Sequence, residues 1–333
     1  MKKELEILQF IETHLIQNKC VVLMVVAESS GSSPGRQGFK MAVTEDGTLF
    51  GSIGGGVMEV ALVELAQGKS KKAKGKNNSK FQISNSKLVE QIHRKDVQNS
   101  SGMICSGKQT VIFKDLTNDN LETVQKIIKY LENQKSVALQ ISDSKFQTIE
   151  NTQDNAMFYF EQKNENNFIY QEKIGFQNNL FIIGGGHCAL ALSELMSKMD
   201  FHISLFDDRP NLNTLEKNKF AHSKTIIESY ENIGQFIESG KNNYVVVMTL
   251  GYKFDEIVIR QLFDKNFKYF GVLGSKSKMR TLFRNLESEG FDKNKLAKIR
   301  TPIGLPINSH TPEEIAVSIA AEIIAVKNKA SGV

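Results

Sequence analysis

A short apolar run that breaks into a glycine-rich turn constrains this chain more than any other feature. The run reads Phe181-Ile-Ile-Gly-Gly-Gly-His-Cys-Ala189, with Gly184, Gly186 and Ala189 at the spacing Gly-x-Gly-x-x-Ala. In a dinucleotide-binding fold the first glycine makes the turn, the second lets the backbone approach a pyrophosphate, and the third small residue lets the helix pack on the strand. The N-terminus of the helix behind such a loop favours an anion. The loop therefore predicts a nucleotide-binding unit in the second half of the chain.

Two acidic residues follow this loop where a dinucleotide fold places its ribose contact. Asp207 and Asp208 come directly after the next apolar run, about 20 residues beyond the loop. Gly184, Gly186 and Asp207 are therefore candidate cofactor-binding residues. His187, in the phosphate position of the loop, is a further candidate, either as a hydrogen-bonding residue or as a catalyst. The alternative is a Rossmann-shaped domain that keeps the loop for packing and binds no dinucleotide.

From Leu180 onwards, apolar segments alternate with helical ones. A helix is expected at 189–199 and strands at 202–206, 244–249 and 269–273. A last helix begins after Thr311 as N-cap, with Pro312 at its first position and Glu314 at its third. Strands separated by helices of this length imply a parallel sheet with right-handed crossovers. We therefore predict a Rossmann-like, doubly wound parallel sheet as the C-terminal domain, residues 178–330.

The first half of the chain mixes helical and strand patterns without that alternation. Apolar residues at helical spacing run from Leu5 to about Ile16, and the valine-rich run from Cys20 to Val26 is typical of a buried strand. Further helices are expected at 57–66 and 121–131, strands at 39–43, 48–53, 81–84, 103–113 and 137–141, and a hairpin with solvated loop at 151–170. The predicted fold class is therefore α/β, with an N-terminal mixed α+β domain, residues 1–172, before the Rossmann-like domain.

A second glycine loop, in the first half, is foreign to simple dehydrogenases. Three glycines follow Ser52-Ile53 and precede a helix with Glu59 in its first turn. Backbone N–H groups of such a loop can converge on an anion, and a nearby arginine adds a fork suited to phosphate. The candidate binding residues are Arg36, Ser52, Gly54, Gly55, Gly56 and Glu59. The alternatives are a loop that serves the turn alone and a Glu59 carboxylate that only stabilises its own helix.

Cys105 lies where an apolar segment meets a turn, in Gly102-Met-Ile-Cys-Ser-Gly107. A lone cysteine is either a small buried hydrophobic residue or, beside basic groups or a helix N-terminus, a thiolate that binds a soft metal. The residues leave both interpretations open. The sequence holds no Walker A loop, His-Glu-x-x-His pair, Gly-x-Ser-x-Gly elbow or paired cysteine metal motif, so we assign no catalytic residue.

Composition and charge exclude several classes of protein. The 333 residues are 40% hydrophobic and 24% charged, with a net charge of +5, as in an ordinary soluble domain. Part of the positive charge lies in the lysine-rich segment 69–80, which is typical of a solvated loop and less often of a docking patch. No aromatic platform or zinc-finger pattern accompanies it, so no nucleic-acid partner is predicted. No window approaches about 18 consecutive apolar residues, so no membrane span is predicted. Three well-separated cysteines indicate a reducing cytoplasm.

Together these motifs resemble the XdhC/CoxI family, accessory factors for the maturation of molybdenum hydroxylases such as xanthine dehydrogenase and carbon monoxide dehydrogenase. The matching stretches in the first half are Gly31-Ser-Ser-Pro34 through Lys40-Met41, the Glu-Asp-Gly turn, the loop 51–56 with Glu59, and 103–107. Those in the second half are Gly184-Gly-Gly-His187, Leu273-Gly-Ser-Lys276, and Pro302-Ile-Gly-Leu305 leading to 311–317. The chain departs from the family at two loops, with Ser106-Gly107 in place of two glycines and His187-Cys188-Ala189 in place of His-Val-Gly.

The resemblance implies a cytoplasmic protein that binds the molybdenum–pterin cofactor, protects it and delivers it to a molybdenum hydroxylase apoenzyme. It also implies a link to sulfuration of the cofactor with a cysteine desulfurase as partner, and a maturation factor rather than an enzyme. We expect a homodimer, and we predict that Cys105 binds molybdenum at one site with the loop 54–56. Two other functions stay open. One is an NAD(P)-dependent oxidoreductase, for which His187 is the candidate proton donor, and the other is a nucleotide-sensing regulator without cargo.

Overall fold

The computed structural model describes residues 2–68, 86–92, 107–153, 156–164 and 167–329. The chain forms two compact units, Met1–Gly175 and Phe176–Val333. The predicted strand 81–84, the lysine-rich segment 69–80 and Cys105 lie outside the described residues. None of the helices in the described ranges is both long and apolar enough to cross a membrane.

The first unit contains two antiparallel sheets. Its helices are α1 (Lys2–Ile16), α2 (Gly56–Ala66) and α3 (Leu121–Glu132), and its strands are β1 (Val21–Gly31), β2 (Lys40–Thr44), β3 (Leu49–Gly51), β4 (Ser86–Ile92), β5 (Gly107–Leu116), β6 (Val137–Ser142), β7 (Phe146–Ile149), β8 (Phe158–Asn164) and β9 (Asn167–Ile174). The strand orders are β3-β2-β1-β5-β4 and β7-β6-β9-β8. This is the mixed α+β arrangement that the sequence predicts, and the hairpin expected within 151–170 is β8–β9.

The central strand β1 explains why its sequence is apolar without alternation. Leu23 and Val25 face a core shared with α1 and α3, whereas Met24 and Val26 face a second core closed by α2. Because both faces of the strand are covered, each position from Val21 to Ala27 is buried.

The strand also runs further than the expected 20–26. It continues to Gly31 because β5 supplies partners for the extension, with Glu28 opposite Thr110 and Gly31 opposite Gly107. The stretch rich in Gly, Ser and Pro that begins at Gly31 thus has its first residue in the strand. The loop proper starts only after Gly31 and returns to the sheet at Lys40.

The second unit is a single parallel sheet with helices on both faces. Its strands are β10 (Asn178–Ile183), β11 (Phe201–Asp207), β12 (Ser223–Ile226), β13 (Gly240–Val247) and β14 (Phe267–Val272), and its helices are α4 (His187–Ser197), α5 (Asn213–Lys217), α6 (Tyr252–Leu262), α7 (Lys276–Ser288), α8 (Lys293–Leu296) and α9 (Pro312–Lys329). The strand order is β12-β11-β10-β13-β14. The helices α4 and α9 close one core and α6 and α7 close the other. This confirms the predicted doubly wound, Rossmann-like sheet.

The strand order locates the ligand-binding edge of this unit. From β10 the chain moves outwards through β11 and β12, then returns to the other side of β10 with β13 and β14. In open parallel sheets, ligands bind at the carboxyl ends of the strands where the winding reverses. That point lies between β10 and β13, and the glycine turn after β10 is at this edge.

Candidate functional site

The structure constrains the three glycine positions of the second-unit loop to different degrees. Gly184 has φ +106°, and a Cβ at this position would lie 2.2 Å from the Met248 carbonyl oxygen. Its N–H donates to the Phe206 carbonyl at 2.8 Å. A Cβ on Gly185 would come within 3.1 Å of the Leu212 side chain. Glycine is therefore required at position 184, whereas at position 185 a Cβ would only press against neighbouring side chains.

Gly186 has no such requirement. Its φ is −70°, which any residue adopts, and a Cβ there would meet no atom within 4 Å. It is the N-cap of α4, and no side chain caps the helix. The first N–H groups of a helix have no partner within the helix, so they face the open space beside Gly186. The absence of a side chain at Gly186 keeps this anion-attracting end accessible.

Asp207, the last residue of β11, hydrogen-bonds to the main chain of this loop. Its carboxylate is fully buried and accepts the Gly185 N–H at 2.6 Å. Arg209 donates to both carboxylate oxygens at 2.8 Å, and its own N–H adds a bond of 2.9 Å. Burial raises the pKa of Asp207, but the bonds from Arg209 and Gly185 outweigh it, so the pKa is lowered and the group stays ionised. A ribose contact by Asp207 stays a prediction, and the ribose would have to displace Arg209 from the carboxylate. The side chain of the neighbouring Asp208 is more accessible, with 28% of its surface exposed.

His187 is exposed in the first turn of α4. It borders a cavity of about 320 Å³ between α4 and α9, whose lining includes Leu190, Glu313 and Val317. The next residue, Cys188, is half-buried, and burial together with the Glu313 carboxylate raises the pKa of its thiol. The raised pKa makes the Cys188 thiol less nucleophilic than an ordinary cysteine at neutral pH.

Three residues that no sequence motif indicated lie at the same edge of the sheet. Leu250 and Tyr252 follow β13 and are 75% and 49% exposed. Asp255 is buried near the start of α6 and accepts the Thr249 hydroxyl at 2.6 Å; burial raises its pKa to about 6, against the lowering effect of the Thr249 bonds. The signal that would have identified them is their position just after the strand that borders the reversal point.

The first-unit glycine loop does collect backbone donors on an anion, but the anion is its own Glu59. One Glu59 oxygen accepts the Ser52 hydroxyl at 2.7 Å and the N–H groups of Ile53 and Gly55 at 2.9 Å each. Burial raises the pKa of Glu59, but these bonds prevail and lower it. The Gly54 N–H likewise donates to the Ser52 hydroxyl, at 3.2 Å. The expectation that the donors of this loop are free for phosphate is therefore corrected for Ile53, Gly54 and Gly55.

Arg36 and Gly56 remain open to a ligand, whereas the Ser52 hydroxyl already donates to Glu59. Ser52 and Gly56 are exposed, and so is Arg36, whose guanidinium forms no ion pair within the part of the chain that the structure describes. Gly55 has φ +76° and open space at its Cβ position. These groups lie in one unit and line the surface of one loop region, but most of the N–H donors already have an acceptor.

Two further glycines pack against the segment before Arg36. A Cβ on Gly54 would lie 2.5 Å from the Gly35 nitrogen, and one on Gly107 would lie 2.5 Å from the Ser33 nitrogen. The Ser33 hydroxyl also donates to the buried Gln109 side chain at 2.9 Å. The loop 54–56 and the start of β5 are therefore neighbours, joined by the segment 33–35.

Within the described ranges, no group of three or more His, Cys, Asp or Glu side chains is arranged to hold a metal ion. The predicted metal ligand Cys105 is not among these ranges, and its role stays a prediction.

The fold and the glycine loop define a two-unit α/β protein whose second unit is of the Rossmann type. Two family models match the chain: the XdhC and CoxI family over residues 15–75, and the XdhC Rossmann domain over residues 180–323. The chain therefore belongs to the XdhC/CoxI family, as the sequence motifs indicate. The two matches fall in separate units, in the order expected from the sequence.

Curated relatives match about half of the chain. The uncharacterized protein YqeB of Escherichia coli K12 is 30% identical over 162 residues, which cover 47% of this chain and 29% of YqeB. A probable xanthine dehydrogenase subunit of Bacillus subtilis 168 is 28% identical over 162 residues, 48% of this chain and 46% of that protein. This chain thus matches less than half the length of either relative.

A solved structure matches nearly the whole chain. It is described as a xanthine dehydrogenase from Bacillus halodurans, with a TM-score of 0.70 and 23% identity over 97% of this chain and 96% of that one. At this identity the likeness is one of fold. It extends the similarity across both units.

Proposed function

We propose that this protein is an accessory factor in the maturation of a molybdenum hydroxylase of the xanthine dehydrogenase type. It would bind the molybdenum–pterin cofactor as cargo, protect it, and deliver it to the apoenzyme. Family membership supports this proposal, as does the similarity to a probable xanthine dehydrogenase subunit.

The observation that carries the proposal is the open helix end at Gly186. A phosphate group fits there, because the uncapped first turn of α4 supplies donors and a Cβ at Gly186 would meet no protein atom. The molybdenum–pterin cofactor carries a terminal phosphate, so this site suits one end of the cargo. The loop around Glu59 suits a phosphate less well, because Glu59 already occupies its convergent donors.

Cys105 is the proposed molybdenum ligand of the first unit. It lies two residues before Gly107 in the sequence, and Gly107 packs against the same segment 33–35 as Gly54. A thiolate is a soft ligand suited to a molybdenum centre. The cofactor would supply the redox centre of the receiving enzyme, while this chain would bind and shield it.

The proposed partners are the hydroxylase apoenzyme and a cysteine desulfurase that supplies sulfur for the cofactor. A homodimer in the cytoplasm is the proposed working form. No catalytic residue is assigned, in keeping with a carrier of cargo. The sulfuration chemistry would belong to the desulfurase.

A dinucleotide is the main competing ligand, because its pyrophosphate would use the same helix end. An NAD(P)-dependent oxidoreductase or a nucleotide-sensing regulator would bind NAD(P) there with the ribose near Asp207 or Asp208. The buried bonds of Asp207 to Arg209 weigh against the ribose contact. The exposed Leu250 and Tyr252 would suit the flat ring of either ligand.

Calorimetric titration of the purified protein with molybdopterin and, separately, with NAD(H) distinguishes these functions. We expect molybdopterin to bind the native protein and the Gly186→Val protein to bind it at least tenfold more weakly, since the added side chain fills the phosphate space. NAD(H) binding with no molybdopterin binding would overturn the proposal in favour of a nucleotide-dependent function. Equal binding by native and Gly186→Val proteins would remove the helix end from the site.

A further inference from the structure

Among the residues that the structure describes, none pairs with the first half of the outer edge of β14. This strand is the last in the parallel sheet, and the segment containing Arg300 pairs only with its second half, through a parallel bridge at Gly271. The Arg300 N–H donates to the Phe270 carbonyl at 2.8 Å, and the Val272 N–H donates to the Arg300 carbonyl at 2.9 Å. Main-chain groups alternate sides along a strand, so those of Lys268 face the same outer side. Lys268 therefore presents an N–H and a C=O at an unpaired strand edge.

A cavity of about 350 Å³ lies along this open edge. We call it the β14 notch. Its walls are the beginning of β14 on one side and α8 with the residues after it on the other. Five basic side chains and one carboxylate line it: Lys265, Lys268, Lys295, Lys298, Arg300 and Asp264. A shallower hollow of about 450 Å³ next to it, at the beginnings of β13 and β14, adds Lys241.

Two of these basic groups are already neutralised. Lys295 pairs with Asp264 at 2.7 Å, and Arg300 pairs with Glu322 at 3.0 Å. The Asp264 carboxylate in the lining thus forms its ion pair with a lysine of the same notch. Neither pair leaves a net charge.

Three lysines of the notch have no such compensation. The Lys265 ammonium donates to the main-chain carbonyls of Gly234 and Ile237, which carry no formal charge. Across the ranges that the structure describes, Lys268 and Lys298 pair with no carboxylate. The notch therefore keeps a positive charge beside an unpaired strand edge.

The notch is separate from the candidate ligand site. It lies where β13 and β14 begin, at Gly240 and Phe267. The Gly186 helix end lies at the opposite, carboxyl edge of the same sheet. A macromolecule bound in the notch would leave the ligand edge accessible.

We propose that the β14 notch docks an extended, acidic segment of a partner protein, which adds to β14 as a further strand. Main-chain bonds to an exposed sheet edge supply affinity in this mode of recognition, and side-chain charge supplies specificity. An acidic segment matches the uncompensated lysines, and an extended one matches the unpaired groups of Lys268. This inference goes beyond the proposed function, because it concerns a different edge of the sheet and does not depend on the cargo.

The test measures fluorescence anisotropy of a labelled short peptide of alternating Glu and Val with the full chain. We expect saturable binding that weakens more than tenfold between low and high salt. The double variant Lys268→Glu/Lys298→Glu should bind at least about tenfold more weakly, with an unchanged melting temperature. The control Lys217→Glu, an exposed lysine on α5 at the other side of the sheet, should bind as the native protein does.

Two further probes separate strand addition from simple charge attraction. A Glu-Val peptide that is N-methylated at every residue has the same charge but lacks the N–H donors on both edges of the strand, and we expect it not to bind. Equal binding of the two peptides would overturn the proposal, as would equal binding by the double variant and by Lys217→Glu. Tighter binding of a single-stranded oligonucleotide than of the Glu-Val peptide would assign the notch to nucleic acid instead. Absence of peptide binding would also overturn it.

Discussion

Removing the Glu59 carboxylate tests whether the first-unit glycine loop is built around its own side chain. In the native protein one carboxylate oxygen accepts the Ser52 hydroxyl and the N–H groups of Ile53 and Gly55. The substitution Glu59→Ala leaves these three donors without their acceptor. It also removes a negative charge from the first turn of α2, where a carboxylate stabilises the helix.

The expected cost follows from the number and exposure of these bonds. A hydrogen bond to a charged group contributes about 1.5–3 kcal/mol when buried. Ser52 is exposed and Glu59 is only partly buried, so water replaces part of the loss. We expect Glu59→Ala to lower the free energy of unfolding of the first unit by roughly 2–3 kcal/mol, which corresponds to a decrease in melting temperature of about 5–10 °C.

Thermal unfolding followed by circular dichroism, with Glu64→Ala as the matched control, measures this cost. Glu64 is an exposed glutamate on the same helix, and its removal should change the melting temperature little. Because the pKa of Glu59 is lowered by folding, its stabilisation is present above its usual value of 4.5 and is lost as the pH falls through the folded pKa. The difference between native and Glu59→Gln proteins should therefore close in acid. Equal melting temperatures of Glu59→Ala and Glu64→Ala at neutral pH would refute the reasoning.

Three further perturbations test the second unit. Gly184→Ala should lower the free energy of unfolding of this unit by more than about 2 kcal/mol, because Gly184 has a positive φ and an added Cβ would clash with a carbonyl oxygen. Gly186→Ala should leave the melting temperature unchanged. A similar loss of stability in both proteins would contradict our interpretation of the loop. Burial and the neighbouring His202 lower the pKa of His222 to about 4. The free energy of unfolding should therefore fall by up to roughly 1 kcal/mol per pH unit as the pH decreases from 6.5 to 4. Urea titrations in which a His222→Gln protein keeps the full pH dependence would disprove this. Glu322→Ala should lower the free energy of unfolding by about 2–4 kcal/mol, since it removes bonds to Tyr269, Arg300 and Gly304; chemical denaturation that shows no loss would rule out that role.

The sequence predicts the second unit well because its signals are local. The last helix begins as its capping residues indicate, with the Glu314 N–H donating to the Thr311 hydroxyl at 3.2 Å and the Thr311 N–H donating to the Glu314 carboxylate at 3.1 Å. The glycine turn and the alternation of strands and helices likewise depend on residues close in the chain. The short strand β12 was missed, since three of its four residues are polar and none of the four is buried.

The sequence could not show which residue forms hydrogen bonds with each polar group. Glu59, Ser52 and the glycines were all identified, but only the structure shows that the carboxylate turns back onto the loop. Asp207 was placed correctly at the end of β11, yet its use depends on how Arg209 folds over it. The extension of β1 to Gly31 likewise depends on β5, which is distant in sequence. Such outcomes are decided by tertiary contacts, which composition and periodicity do not contain.

Reactivation of a hydroxylase apoenzyme by cofactor-loaded protein tests the central claim most directly. Native protein, Cys105→Ser, Cys20→Ser and Cys188→Ser would each be incubated with molybdenum cofactor, desalted, assayed for bound molybdenum and mixed with the apoenzyme. We predict that the native, Cys20→Ser and Cys188→Ser proteins retain molybdenum and restore activity, and that Cys105→Ser folds with native stability but does neither. If the native protein retains no molybdenum and restores no activity, the proposal of a cofactor carrier is contradicted. If all four proteins deliver equally, the carrier stands but Cys105 is not its metal ligand.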